Sequence, residues 1–183
     1  MIRLMDILLS LMGLVLLFPL MCLIYIAILI DTDVPFFSQE RLGMHKKKFI
    51  LYKFRTMKLE TKLLPTHLVD ISSITHIGKF LRRAKLDELP QLWNVLKGDM
   101  SMVGPRPNLF NQEELINARD ALGVYDVRPG ITGLAQIKNI DMSSPRLLAK
   151  TDSEMISTMS VANYFKYIFF TVAGKGQGDG VRR

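Results

Sequence analysis

Residues 86–107 read LDELPQLWNVLKGDMSMVGPRP. Two adjacent carboxylates, Asp87 and Glu88, stand where an apolar helical pattern begins. Leu89, Leu92, Trp93, Val95 and Leu96 carry that pattern, and Pro90 falls in a first turn, where its missing N–H costs nothing. Gly98 predicts the helix stop. The stretch closes in Gly104-Pro105-Arg106-Pro107, a rigid turn that holds one guanidinium between Pro105 and Pro107. Arg82, Arg83 and Lys85 lie just upstream. Alone, an Asp-Glu pair at a helix start is a favourable charge near the macrodipole and nothing more. Beside a basic cluster and a fixed arginine within about 25 residues, it points to a site for a metal-bound, anionic substrate.

The rest of the composition narrows the setting. The 183 residues suffice for one compact domain with a modest core. Hydrophobic residues make up 49% and the mean hydropathy is +0.19, which is high for a soluble chain and points to membrane contact. The net charge of +7 suits nucleic acid, anionic lipid or a phosphorylated substrate. A long apolar segment argues against a nucleic-acid module, so no nucleic-acid partner is expected. The lone Cys22 lies inside that segment, so neither a disulfide framework nor a thiolate metal site is expected. His45, His67 and His76 show no ligand spacing.

Residues 7–30 carry no charge and pass the length test for a membrane helix. The run is too long for a cleaved signal peptide and lacks a small-x-small site after it. Arg3 and Asp6 precede it and could pair one turn apart. Arg3 on one side, and Arg41, Lys46, Lys47, Lys48, Lys53, Arg55, Lys58 and Lys62 on the other, would keep both ends cytoplasmic. Pro19 in the middle predicts a break that lets the helix enter and leave by one face. The carbonyls it frees near Val15 would need Ser10 or protein elsewhere.

Beyond it, residues 36–39 and 49–55 read as two short strands around a turn containing Gly43, with Lys46, Lys47 and Lys48 solvated at the tip. Residues 60–74 read as a mobile connection. Thr75 predicts the cap of a short helix over residues 76–84, with Ile77, Phe80 and Leu81 on one face. Asn111-Gln112-Glu113-Glu114 reads as a capping box for a scaffold helix that Gly123 ends. Residues 128–133 form a Pro/Gly loop whose amides can approach a phosphate or a uracil ring. Ser144-Pro145 predicts a helix start by cap and first-turn proline. Residues 161–173 carry Tyr164, Phe165, Tyr167, Phe169 and Phe170, an aromatic helix too short to span and suited to lie on a membrane. Residues 174–183 read as a loose, basic, Gly-rich tail.

Lys53-Phe54-Arg55-Thr56-Met57, the block over residues 86–107, and Arg128-Pro129-Gly130-Ile131-Thr132-Gly133, after an apolar N-terminal segment, resemble the bacterial sugar transferase family. These are small monotopic phosphoglycosyl transferases that start glycoconjugate assembly (O-antigen, capsule or glycoprotein glycan) on a polyprenol carrier. The resemblance runs from about residue 1 to about residue 172. It implies an α+β, mainly helical fold: a re-entrant membrane helix broken near Pro19 (residues 1–31), then a small β-hairpin and interfacial helices around a cytoplasmic active site (residues 32–173). It places the chain on the cytoplasmic face of the bacterial inner membrane. It implies transfer of a sugar 1-phosphate from a UDP-sugar to polyprenol (undecaprenyl) phosphate, with UMP released.

On that resemblance Asp87 is the nucleophile that forms a covalent phosphosugar. Mg2+ held by Asp87 and Glu88 offsets the diphosphate charge. Glu88 is left with two roles, proton removal from the acceptor or metal binding. Arg82 and Arg106 hold phosphate oxygens in a fork, with Pro105 and Pro107 fixing Arg106. Arg128, Asp152 and Arg55 complete the expected substrate-binding set. Short members of the family suggest an N-acetylated hexosamine. The chain departs from the family after Gln136, where Ile137-Lys138-Asn139-Ile140 lacks the usual arginine, and after Asp152, where Ser153, Glu154 and Met155 replace tyrosines. Both departures bear on the sugar. A basic membrane-anchored interaction module is the competing class, but it gives no reason for Asp87-Glu88 beside Arg82 and Arg106. A polyprenol kinase or phosphatase would more readily show a Walker-type loop, which is absent.

Overall fold

The computed structural model describes residues 1–59 and 71–176. Lys62, His67, most of the expected connection over residues 60–74 and the tail beyond Gly176 lie outside the described residues. The chain opens with one long helix, α1 (Ile2–Thr32), apolar and long enough to cross a membrane by length and composition. The helix is not interrupted at Pro19, which corrects the expected break. A proline ring removes one rung of the ladder, while the flanking Leu, Met and Ile residues continue the helix and packing holds both ends. Ser10 does not serve the gap: its hydroxyl donates to Ile7 O at 3.2 Å, a turn earlier.

Both ends of α1 dock on the rest of the protein. Near its start, Asp6 Oδ1 accepts from Ser101 Oγ and Met102 N, both at 2.9 Å, and from Tyr164 OH at 2.8 Å. Arg3 does not pair with Asp6 as expected; it donates to Val95 O and Leu96 O at 2.6 and 2.9 Å. Near its end, Ile24 and Ile28 pack with Phe54 and Leu81 in a buried cluster. Between the docked ends, Val15, Leu16 and Phe18 are exposed.

The expected hairpin forms from β1 (Phe36–Leu42) and β2 (Lys48–Phe54), antiparallel. The register sets Arg41 opposite Phe49, Gln39 opposite Leu51 and Phe37 opposite Lys53, so these six share the inner face. Lys46 and Lys48 at the tip pair with Asp120 and Glu40. Thr75 caps α2 (His76–Ala84) as expected, its hydroxyl accepting from Gly78 N at 3.0 Å. A Cβ on Gly78 would lie 2.2 Å from Thr56 O, so only glycine lets α2 rest against the end of β2. Leu81 is buried, but Phe80 is exposed, contrary to its expected place on the apolar face.

A tight turn, Leu86–Glu88, precedes α3 (Gln91–Lys97), with Pro90 at the helix cap. The two carboxylates therefore sit before the helix rather than in it. Trp93 is exposed, while Leu92 and Val95 are buried. Gly98, at φ 102°, ends the helix as expected.

Residues 128–133 are not all loop. β3 (Ser101–Val103) pairs in parallel with β4 (Gly130–Thr132). Gly104 N donates to Thr132 O at 2.8 Å and Gly130 N to Pro105 O at 2.9 Å. A Cβ on Gly130 would lie 2.0 Å from Gly104 N, so the two backbones approach as closely as glycine allows.

Between these strands lies α4 (Glu113–Asp120), shorter than expected and without its capping box. Gln112 Oε1 instead accepts from Leu109 N at 2.9 Å. After α5 (Leu134–Ile137), α6 (Pro145–Ser157) starts on Pro145, but the Ser144 side chain makes no cap hydrogen bond. The final helix, α7 (Val161–Val172), turns Tyr164 and Tyr167 inward and leaves Phe165, Phe169 and Val172 exposed. The result is mainly helical with two small sheets.

Candidate active site

Asp87 and Glu88 are both buried in the turn before α3. Glu88 Oε1 accepts from Lys53 Nζ at 3.1 Å and from Arg106 Nη2 at 3.3 Å. Burial alone would raise Glu88, but Lys53 and Arg106 outweigh it and hold the carboxyl at about 2. Asp87 moves the other way: burial raises it, the neighbouring Glu88 adds to the rise, and Lys53 and Arg82 oppose it. Lys53 is lowered to about 8, chiefly by burial and against the pull of Glu88. The pair thus holds one carboxylate firmly ionised and one that is poorly solvated, two environments for two adjacent acids.

Arg82, at the end of α2, donates from Nε to Thr56 Oγ1 at 2.8 Å, and its charge acts on Asp87. Arg106 reaches Glu88 from a turn held on both sides. Pro105 O accepts from Gly130 N at 2.9 Å, and Pro107 O accepts from Arg41 Nη1 at 3.3 Å. Behind it, the buried Arg119 of α4 donates from Nη1 to Arg106 O and to Asn108 Oδ1, both at 2.9 Å. Asp152 of α6 holds Arg119, with Oδ2 accepting from Nε at 3.1 Å and Nη2 at 2.7 Å.

Asp87, Glu88, Arg82, Arg106, Pro105 and Pro107 therefore come together. Three other expected residues have different partners. Asp152 is buried on Arg119 and reaches the site only through it. Arg128 donates from Nε to Gly98 O at 2.8 Å, at the end of α3. Arg55 donates to Val34 O and Phe36 O at 3.0 and 3.3 Å, along the start of β1. On β2 the inward position belongs to Lys53, two residues before. That lysine was missed as a site residue, although its phase with Phe49 and Leu51 marks it as a charge on an apolar face. Arg119 was missed too; its signal is an arginine four residues after buried Leu115. Arg41 lines one cleft with Lys53, Glu88, Gln91, Arg106 and Gln136.

Among the described residues no three His, Cys, Asp or Glu side chains gather as a metal cage. Magnesium does not need one: it binds through one or two carboxylates and takes its remaining oxygens from water and substrate phosphate. Asp87, with Glu88 beside it, fits such a shared ion.

The chain matches the bacterial sugar transferase family over residues 1–176. It is 39% identical over 148 residues to an uncharacterized sugar transferase, EpsL, of Bacillus subtilis (strain 168), covering 81% of this chain and 73% of that one. It is 37% identical over 179 residues to a UDP-glucose:undecaprenyl-phosphate glucose-1-phosphate transferase of Escherichia coli (strain K12), covering 91% of this chain and 38% of that one. It is 37% identical over 153 residues to an undecaprenyl-phosphate galactose phosphotransferase of Salmonella typhimurium (strain LT2), covering 74% of this chain and 32% of that one. The chain thus spans less than two fifths of the length of the last two.

Proposed function

Because the chain belongs to the bacterial sugar transferase family, we propose that it transfers a sugar 1-phosphate from a UDP-sugar to undecaprenyl phosphate. The observation that carries this reading is the buried Asp87-Glu88 pair ringed by Lys53, Arg82 and Arg106. An Asp87 oxygen attacks the phosphorus that bears the sugar, the bond to the bridging oxygen breaks, and UMP leaves. An oxygen of the acceptor phosphate then attacks the same phosphorus, the acyl-phosphate bond breaks, and Asp87 returns as carboxylate. Poor solvation of Asp87 favours its use as nucleophile. Glu88, held at about 2, is a weak proton acceptor, so of its two roles the electrostatic one fits better. Lys53, Arg82 and Arg106 offset the charge of two phosphate groups that otherwise repel. Magnesium bound by Asp87 and substrate oxygens would supply further positive charge.

Most relatives with printed sugars are named for glucose or galactose, and one of Bacillus subtilis is named a putative N-acetylgalactosaminyl 1-phosphate transferase, so the balance does not support the expected N-acetylated hexosamine. A neutral hexose is the sugar we favour. A membrane-surface position is supported by α1, which docks along one side on the domain and leaves Leu4, Leu8, Val15, Phe18, Leu23 and Ile26 exposed along the other. The test is to incubate detergent-solubilised protein with UDP-glucose or UDP-galactose, undecaprenyl phosphate and magnesium, and to assay UMP. UMP is expected from wild type, with loss on chelation and recovery on adding magnesium. Asp87→Asn is expected to keep the fold and lose turnover by several orders of magnitude. Wild type given donor alone is expected to gain a sugar-phosphate mass on Asp87. Full turnover in the Asn variant would sink the nucleophile assignment.

A further inference from the structure

Arg41 is the cation in this cleft whose hydrogen bonding is incomplete. Its Nη2 donates to Gln39 Oε1 at 2.7 Å, and its Nη1 makes the longer 3.3 Å bond to Pro107 O. Its Nε is buried and has no hydrogen-bond partner among the described residues. A buried charged donor left unmet is costly and needs a reason. Burial and the nearby Arg106 lower the guanidinium to about 10, so the cleft already strains to hold this charge.

The charge balance points the same way. Arg41, Lys53, Arg82 and Arg106 share the site with Asp87 and Glu88, so four cations against two carboxylates leave an excess of two. The more exposed Lys85 adds to that excess. A cleft with surplus positive charge and an unmet N–H is built for an anion that brings several acceptor oxygens.

We propose that Arg41 is a phosphoryl-binding residue, whose Nε bonds an anionic phosphoryl oxygen in the cleft shared with Lys53, Arg106 and Gln136. This rests on the reading above that the substrates are phosphate esters. Two of them carry the same chemistry: the diphosphate of the donor and the phosphate monoester of the acceptor.

The experiment titrates the solubilised full chain by calorimetry with UDP and, separately, with a short-chain prenyl phosphate. Wild type, Arg41→Gln and Arg41→Lys are compared, with thermal unfolding as the fold control. Both variants are expected to weaken one of the two ligands by about 10- to 100-fold, because neither an amide nor an ammonium restores the donor at Nε. The ligand affected identifies the source of the phosphate. Unchanged affinity for both ligands in a folded variant overturns the proposal. Should Arg41→Gln fail to fold, Arg41→Lys and the nitrogen resonance of Arg41 Nε in wild type decide the matter. That resonance is expected to move on adding the ligand, and its failure to move with either ligand also overturns it. These readouts need no turnover, so a wild type that binds phosphate through Arg41 yet releases no UMP would fail the functional reading and not this one.

Discussion

An amine held at about 8 beside a carboxylate held at about 2 defines the pH range over which the Lys53–Glu88 pair exists. Glu88 lies below its ordinary 4.5, so the stability it contributes is complete above that value and is lost as pH falls towards about 2. Lys53 lies below its ordinary 10.5, so its charge, and with it the pair, is lost as pH rises through about 8. Between about 8 and 10.5 the folded state holds fewer protons here than the unfolded chain, so this group's contribution to stability rises there while the pair dissolves. Turnover is therefore expected to fall above about pH 8, where one of the charges opposing phosphate repulsion is removed. Lys53→Arg is expected to move that alkaline limb up by at least about one unit, because a guanidinium stays charged. A limb unmoved in the arginine variant would assign it to another group. Asp87, Glu88, Arg82 and Arg106 were legible in the sequence because opposite charges crowd one short block. Lys53 was readable only from its phase with Phe49 and Leu51 on one strand, and Arg41 was not readable without its cross-strand register with Phe49.

At the level of elements, the Arg119–Asp152 pair pins α4 to α6 and both to the turn that carries Arg106. Asp152→Ala leaves a buried guanidinium without its carboxylate, and a loss of about 3–5 kcal/mol is expected in denaturant unfolding. Replacing both partners by apolar residues of similar size is expected to recover much of that stability but not the turnover, since Arg106 O still lacks its donor. Recovery of turnover as well would remove Arg119 from the positioning of Arg106. Gly130→Ala is expected to be at least as damaging, because its methyl would meet the Gly104 backbone. Local signals gave the hairpin, the Thr75 cap and the Gly98 stop, all set by neighbouring residues. The β3–β4 pair was hidden, because strands of three residues far apart in sequence carry no periodicity of their own.

For the whole molecule, a helix that touches its domain at both ends sets the topology. Charge and length suggested one face for both ends, but whether Pro19 interrupts the helix depends on what holds each end, and those partners lie far along the chain. A cysteine appended at the N-terminus and Lys47→Cys, with Cys22→Ser, are both expected to resist a membrane-impermeant thiol reagent in intact cells and to react after lysis. Labelling of the N-terminal cysteine in intact cells would establish a spanning helix.

The contact between Asp6 and Tyr164 joins residues 158 positions apart. Translation at roughly 5–20 residues per second separates them by about 10–30 s. Asp6 is thus made well before the side chains that secure it. On the proposed membrane reading, α1 must meet the bilayer surface while Asp6 still awaits its hydroxyl partners and Arg3 its carbonyls. This docking can finish only after the aromatic helix α7 has left the ribosome, which makes the newborn chain, rather than the finished fold, the stage at which a wrong insertion would be fixed.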